Sequence, residues 1–290
     1  MKSDRFVPYW LNAPSLAVYA AFLVVPLAAI ALISFQKFEF YGGIQPGITL
    51  KNYVEIFGDS YYWEIFGRTF GIAAVVTALC AVLGTFEAIV LHRMANPWKS
   101  LFLLVVLGPL LISVVVRTLG WALLFGSTGL ANKALAAIGV GQVQFMYSNL
   151  GVVIGLTHVL VPFVVISVWA SLQRIDPAVE TAAISLGASR PAVVRRVIVP
   201  LAMPGILSGS IIVFALAASA SATPAIIGGR RLKVIATAAY DEFLNTLNWP
   251  LGASLAVLLL VINIIVLHAC NRWVERRYRA VFAAAEGGDR

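Results

Sequence analysis

Six long stretches nearly free of charge constrain this chain more than any other feature. They run 14–35, 69–91, 100–125, 149–172, 203–228 and 250–271. Four hold no charged side chain; the second holds Glu87 and the third Arg117. A helix rises 1.5 Å per residue, so about 20 apolar residues cross the hydrocarbon core of a bilayer. Lipid offers no partner to backbone N–H and C=O groups, so each crossing segment must satisfy its own, as a helix does. The expectation is an all-α integral membrane protein with six transmembrane helices, one membrane domain over residues 1–290. Composition agrees: 60% of residues are hydrophobic and 12% charged, where a soluble domain carries about 25%.

Lys and Arg set the orientation, because short loops rich in them stay in the cytoplasm. Loops 1–13, 92–99, 173–202 and 272–290 hold two, two, four and five of them, thirteen in all. The opposite loops, 36–68, 126–148 and 229–248, hold three, one and three. Both termini and the 173–202 segment are therefore expected in the cytoplasm. The tail "NRWVERRYR" adds to the bias, and its aromatics are expected at the lipid boundary. Lys2 and Arg5 precede the first apolar run as in a signal peptide, but that run is long and lacks a cleavage site, so it reads as a retained span.

The net charge of +8 and pI near 9.7 do not point to nucleic acid. The charge lies in membrane-flanking loops, with no zinc spacing or RNA-binding motif. Cys80 and Cys270 sit far apart in apolar surroundings and read as small hydrophobes, not a disulfide. There is no G-x-x-x-x-G-K-[ST] phosphate loop, no H-E-x-x-H pair and no Ser-His-Asp spacing, so no catalytic apparatus is expected. Residues 50–66, "LKNYVEIFGDSYYWEIF", alternate aromatics with charges and suit a short helix lying at the outer interface.

Between the fourth and fifth spans lies "DPAVETAAISLGASRPAVVRRVIVPLAMPGI", 176–206. Asp176-Pro177 reads as an N-cap with proline at the first helical position. A short helix then runs to Leu186, and Gly187 is placed to end it in a left-handed cap. Ser189 is placed to cap a second helix that opens with Arg190 and Pro191, carries Arg195 and Arg196, and closes at Pro200. Pro204-Gly205 leads into the fifth span. Ala178, Ala182 and Leu186 share one face at i, i+4, i+8, with Ala183 beside them. Two readings follow: an amphipathic connector packed on its own bundle, or a rigid knob for a groove on a soluble partner.

This segment resembles the EAA loop of binding-protein-dependent ABC importer permeases. Ala182, Ala183, Gly187, Val197 and Pro200 align with that pattern. Thr181 stands where the family has Glu, with Glu180 one residue earlier, and Val199 stands where it has Leu. The stretches 114–139, 155–177 and 248–259 are also similar to the spermidine/putrescine class, and within it to the first permease subunit of the pair. The resemblance implies a type I importer permease fold in a bacterial inner membrane. It implies three kinds of partner besides lipid: a second permease, two cytoplasmic ATPase subunits, and an extracytoplasmic binding protein. ATP and magnesium would belong to the ATPases, and this chain would bind no cofactor. Glu180, Thr181, Ala182, Ala183, Gly187, Arg190 and Pro200 would form the ATPase-docking loop. Glu180 would replace the family's Glu only by a turn of the helix through about 100° or by its side chain reaching around.

Arg117, Trp121 and Pro224 are the candidate pathway residues. A straight third span puts Arg117 roughly 25 Å across, near the outer end. There it either braces backbone carbonyls or lines an outer gate. Glu87 is expected to pair with His92 or Arg93. Pro26, Pro109, Pro162 and Pro224 interrupt spans, and "SATPAIIGG", 221–229, is the best candidate for a broken helix. His158 and His268 read as core histidines. The spans lack the carboxylates of a polyamine site, so selectivity is expected to rest with the binding protein. Polyamine is the leading solute by resemblance; opines, amino-acid derivatives, phosphonates and ferric iron are handled by similar permeases. A stand-alone secondary transporter would need intramembrane ionisable clusters or inverted repeats, and neither is visible.

Overall fold

The structure is a computed structural model that describes residues 7–286, with side chains from 12 to 272 apart from Arg230. The expectations for Lys2, Arg5 and the aromatics of the tail lie outside the described side chains. In chain order the helices are α1 (Val7–Tyr19), α2 (Val25–Ser34), α3 (Lys51–Gly58), α4 (Ser60–Arg93), α5 (Trp98–Leu111), α6 (Val114–Phe125), α7 (Leu130–Ala137), α8 (Asn149–Leu172), α9 (Pro177–Ser185), α10 (Arg190–Val193), α11 (Val199–Ala218), α12 (Ile235–Leu244) and α13 (Trp249–Glu286). A hairpin of β1 (Lys37–Glu39) and β2 (Gly43–Gln45) pairs Phe38 with Ile44. Among the described residues six helical segments are long and apolar enough to cross a membrane, which bears out the all-α, six-span expectation.

The third span is the correction. Instead of one helix over 100–125, α5 stops at Leu111, and Ile112 (ψ 138°) and Ser113 (ψ 133°) are extended before α6 begins. Pro109 lacks the N–H that continues a helix, and Ser113 takes the backbone conformation of an N-cap. The six-span count is kept by Val114–Ala137, with Trp98–Leu111 as a shorter apolar helix. The outer aromatic stretch also divides. Asp59 is extended and its carboxylate accepts from Tyr61 N at 2.8 Å. So α3 is one short helix, and residues 60–66 open α4 instead of extending an interfacial helix.

Two of the chain's π-turns precede prolines. Val25 N donates to Ala20 O just before Pro26, and Val199 N donates to Val194 O just before Pro200. Each bond spans five residues instead of four, which widens the turn and takes the preceding carbonyl out of the way of the proline ring. Pro200 therefore does not close a helix, as the sequence suggested. The chain runs helical from Arg190 to Ala218, and the fifth span begins and ends earlier than 203–228. Pro162 sits inside an unbroken α8.

Cα packing divides the chain into two units. In the first (1–64 and 238–261), Asn52 Nδ2 donates to the carbonyls of Ser34 and Gln36, both at 2.9 Å, and Ser254 Oγ donates to Ser34 O at 3.0 Å. These bonds satisfy the carbonyls at the end of α2. In the second (65–237 and 262–290), α8 is the central helix. Val152, Val164, Val165 and Val168 are fully buried. Glycine lets its neighbours approach. A Cβ on Gly205 would stand 2.9 Å from Val168 Cα, one on Gly209 2.9 Å from Val164 Cα, and one on Gly84 2.8 Å from Val164 Cβ. Small residues at crossings are what membrane helices use to gain van der Waals contact where lipid removes the hydrophobic drive.

Candidate functional site

The first helix after α8 folds as its punctuation predicts. Asp176 Oδ1 accepts from Ala178 N at 2.8 Å, and Pro177 occupies the first helical turn of α9. At the other end Gly187 has φ +85°. Gly187 N donates to Ile184 O at 2.9 Å and Ala188 N to Ala183 O at 3.1 Å. That pair of reversed bonds is a Schellman cap. Ser189 has the extended backbone of an N-cap, but its hydroxyl makes no capping bond. Ala178, Thr181 and Ala182 are exposed, and Leu186 is 89% exposed. Ala183 packs on the core. Thr181 turns its hydroxyl back to Pro177 O at 3.2 Å. The helix thus shows an outward face of small side chains with one bare leucine.

Glu180 points away from that face. Its Oε1 accepts from Arg93 Nη2 at 2.8 Å, with both side chains more than a third exposed. Arg93 is the last residue of α4, so the pair ties α9 to the end of another helix. This corrects the expected pairing of Glu87 with His92 or Arg93: Arg93 is taken by Glu180, and Glu87 makes no hydrogen bond or ion pair among the described residues. Arg190 and Pro200 are exposed, beyond the cap.

A second place of interest is an open cavity of about 700 Å³ among α6, α7 and α8, lined by Arg117, Trp121, Thr128, Lys133 and His158 with leucines and glycines. Arg117 is 9% exposed. Its Nη1 donates to Pro109 O, the carbonyl that the break at 112–113 sets free. Its Nε has no hydrogen-bond partner. Arg117 thus braces a backbone carbonyl, as one of its two readings expected, and it also lines a cavity. Trp121 Nε1 donates to His158 Nδ1 at 3.2 Å, and Trp121 packs against Phe125 at 4.9 Å between ring centroids. Asn132 is buried and staples the turn: it donates to Gly126 O at 3.1 Å and accepts from Val143 N at 2.9 Å.

Arg117 and Trp121 share this cavity; Pro224 does not line it. Pro224 is buried at the start of a π-turn, Pro224–Gly228, and Gly229 beyond it has φ +61°. The chain is therefore broken at 221–229, as read from "SATPAIIGG". The fragment packs on α8, where a Cβ on Gly155 would stand 2.9 Å from Ile227 Cδ1, and Thr223 Oγ1 lies 3.3 Å from Thr118 Oγ1. Lys133 and the cavity role of His158 were missed. Their only sequence signal is a lone cation and a lone imidazole, and neither shows its neighbour until α6, α7 and α8 are assembled. No group of three metal-ligating side chains occurs among the described residues.

Residues 91–280 match the family described as binding-protein-dependent transport system inner membrane component. The spermidine/putrescine transport system permease protein PotB of Haemophilus influenzae is 24% identical over 261 residues, 88% of this chain and 91% of the relative. PotB of Escherichia coli is 28% identical over 243 residues, 83% of this chain and 88% of the relative. Among solved structures, a bacterial ABC transporter involved in the import of the acidic polysaccharide alginate has a chain that superposes with a TM-score of 0.76. The match covers 93% of this chain and 96% of that one at 18% identity, a likeness of fold.

Proposed function

Since the chain belongs to the binding-protein-dependent transport system inner membrane components, a multi-pass transport subunit and not an enzyme, we propose that it lines half of the solute pathway of an ATP-driven importer. A second permease supplies the other half. Two cytoplasmic ATPase subunits drive the cycle, and an extracytoplasmic binding protein delivers the solute. Both termini lie in the cytoplasm, on the excess of Lys and Arg in that set of loops.

One observation carries the reading. Helix α9 is capped at both ends and displays Ala178, Ala182 and Leu186 to solvent. A short, rigid helix with a small-residue face admits a partner's surface closely and transmits its displacement. ATP-driven approach of two ATPases would draw the α9 helices of the two permeases together and open the pathway outward. Hydrolysis would reset it. Amine-bearing organic solutes stand first, with spermidine and putrescine the first to test, on the strength of the named relatives. Opines, amino-acid derivatives, phosphonates and ferric iron belong in the same screen.

The test is affinity purification of tagged wild type and Ala182→Arg in mild detergent, with mass spectrometry of what accompanies each. Recovery of an ATPase and a second permease, with the ATPase lost from the variant, is the expected result. A chain that runs alone in both would return the stand-alone transporter to first place.

A further inference from the structure

The cavity among α6, α7 and α8 is chemically one-sided. Arg117 lines it at 9% exposure, and among the described residues its guanidinium is bonded to the Pro109 carbonyl and to no carboxylate. His158 Nδ1 accepts from Trp121, so the imidazole is neutral and its proton sits on Nε2 as a donor. Lys133, held on the rim by the Asn132 staple, adds three more donors and a charge. Thr128 can give or take a hydrogen bond. Among the described residues no Asp or Glu lines the cavity. The volume of about 700 Å³ suits a small organic molecule.

Two cationic side chains with no carboxylate beside them favour an oxyanion. Charge-assisted bonds from guanidinium and ammonium to carboxylate are among the strongest hydrogen bonds available to side chains. The same arrangement repels a polycation, and no carboxylate among the lining residues offers its ammonium groups a counter-charge. We propose that Arg117, His158 and Lys133 form a carboxylate-binding subsite on the solute path, so that the solute is a small amino-acid-like zwitterion and not a pure polyamine. The proposal rests on the importer reading and narrows its substrate. Trp121 gives the rest of the molecule a flat apolar wall, and its indole can take an ammonium on its face.

Two probes isolate the question. Putrescine and 4-aminobutanoate share a four-carbon chain, and the second replaces one aminomethyl end with a carboxylate. The assembled transporter, with its partner permease, ATPases and binding protein, is placed in nanodiscs without added ATP. Quenching of Trp121 emission is titrated with each probe and with inorganic phosphate, and Trp121→Phe assigns the signal. Saturable quenching by 4-aminobutanoate is expected, at least tenfold tighter than by putrescine or phosphate. Lys133→Glu, at an exposed position, is expected to reverse the order of the two organic probes. Arg117→Met is expected to abolish the 4-aminobutanoate response. Should Arg117→Met fail to fold, Lys133→Glu still decides. Putrescine binding as tightly as 4-aminobutanoate in wild type, or Lys133→Glu leaving the order unchanged, overturns the subsite. Phosphate binding as tightly as 4-aminobutanoate overturns the zwitterion. In proteoliposomes holding the same assembly, ATP-dependent uptake confined to polycations would overturn the subsite and leave the importer reading intact. No ATP-dependent uptake of any solute would overturn the importer reading itself.

Discussion

Glu180 and Arg93 lie 87 positions apart and meet at 2.8 Å, joining α9 to the C-terminal end of α4. With both side chains more than a third exposed, the pair contributes about 0.5 kcal/mol to stability. Its importance is one of position. On the proposed docking role of α9, a push on it would pass into α4 through this contact as well as through the chain leading to α8. The acidic residue that the EAA-like segment carries is thus used inside the subunit.

Breaking this contact is expected to loosen coupling without unfolding the protein. Arg93→Ala and Glu180→Ala should each lower solute-stimulated ATPase activity several-fold in the assembled transporter while leaving thermal stability within about 0.5 kcal/mol. The exchange Arg93→Glu with Glu180→Arg should restore much of the stimulation. Lack of rescue, with both single variants impaired, would mean that each side chain acts through a different partner.

Gly187 is a test of conformation without a steric term. At φ +85° a Cβ added there meets nothing within 4 Å. The cost of Gly187→Val is therefore that of a β-branched residue in the left-handed region, about 1–2 kcal/mol. Gly187→Asn should cost less, since Asn visits that region. We expect faster amide exchange at Gly187 and Ala188 and weaker ATPase recovery in the Val variant, with Asn close to wild type. Equal behaviour of the two would show that the Schellman cap does not hold α9.

The crossing of α8 and α11 predicts the opposite kind of effect. A Cβ on Gly205 would stand 2.5 Å from Ser167 O and 2.7 Å from Ser171 Cβ. Gly205→Val forces the helices apart and should cost about 1–3 kcal/mol or more, read as a lower melting temperature in detergent. Gly71→Ala is the control: nothing lies within 4 Å of its added Cβ. Loss of a helical glycine there should be neutral or stabilising by up to about 1 kcal/mol. Similar losses in both would remove close packing as the cause.

Pro200 is expected to hold the register of α10 against α11. Replacing it with Ala returns the missing N–H and removes the ring, so Val194–Ile198 is free to close into ordinary α-helix. Loss of one residue from the wide turn rotates Arg190–Val193 by about 100° relative to Leu201. Helix content should hold or rise while solute-stimulated ATPase falls. Unchanged stimulation would mean that the π-turn is only an accommodation to the proline.

Legibility followed the range of the interactions. The fourth span, 149–172, is read from the sequence to the residue, because its limits are local: a Ser148 cap at one end and charge at the other. Both caps of α9 are likewise legible, since Asp176, Pro177 and Gly187 act within four residues of themselves. Where one element's course depends on another's packing, the reading failed. The uniform hydropathy of 100–125 conceals the break at Ile112–Ser113, for a broken and an unbroken helix bury the same apolar side chains. Pro200 looked like a terminator because a π-turn leaves no mark in composition.

What the sequence by itself determined is therefore the set of crossings and the α9 knob: long charge-free stretches must satisfy their backbones as helices in lipid, and Pro, Asp and Gly act on the turn they occupy. Only the tertiary structure decided the partners of the few polar side chains. Arg93 meets Glu180 and not Glu87; Trp121 meets His158; Arg117 finds the Pro109 carbonyl freed by the break at Ile112–Ser113. A charge or imidazole in an apolar setting must find a counterpart, but which one it finds depends on helix order, rotation and glycine-set approach. Those are properties of the assembled bundle and not of any segment within it.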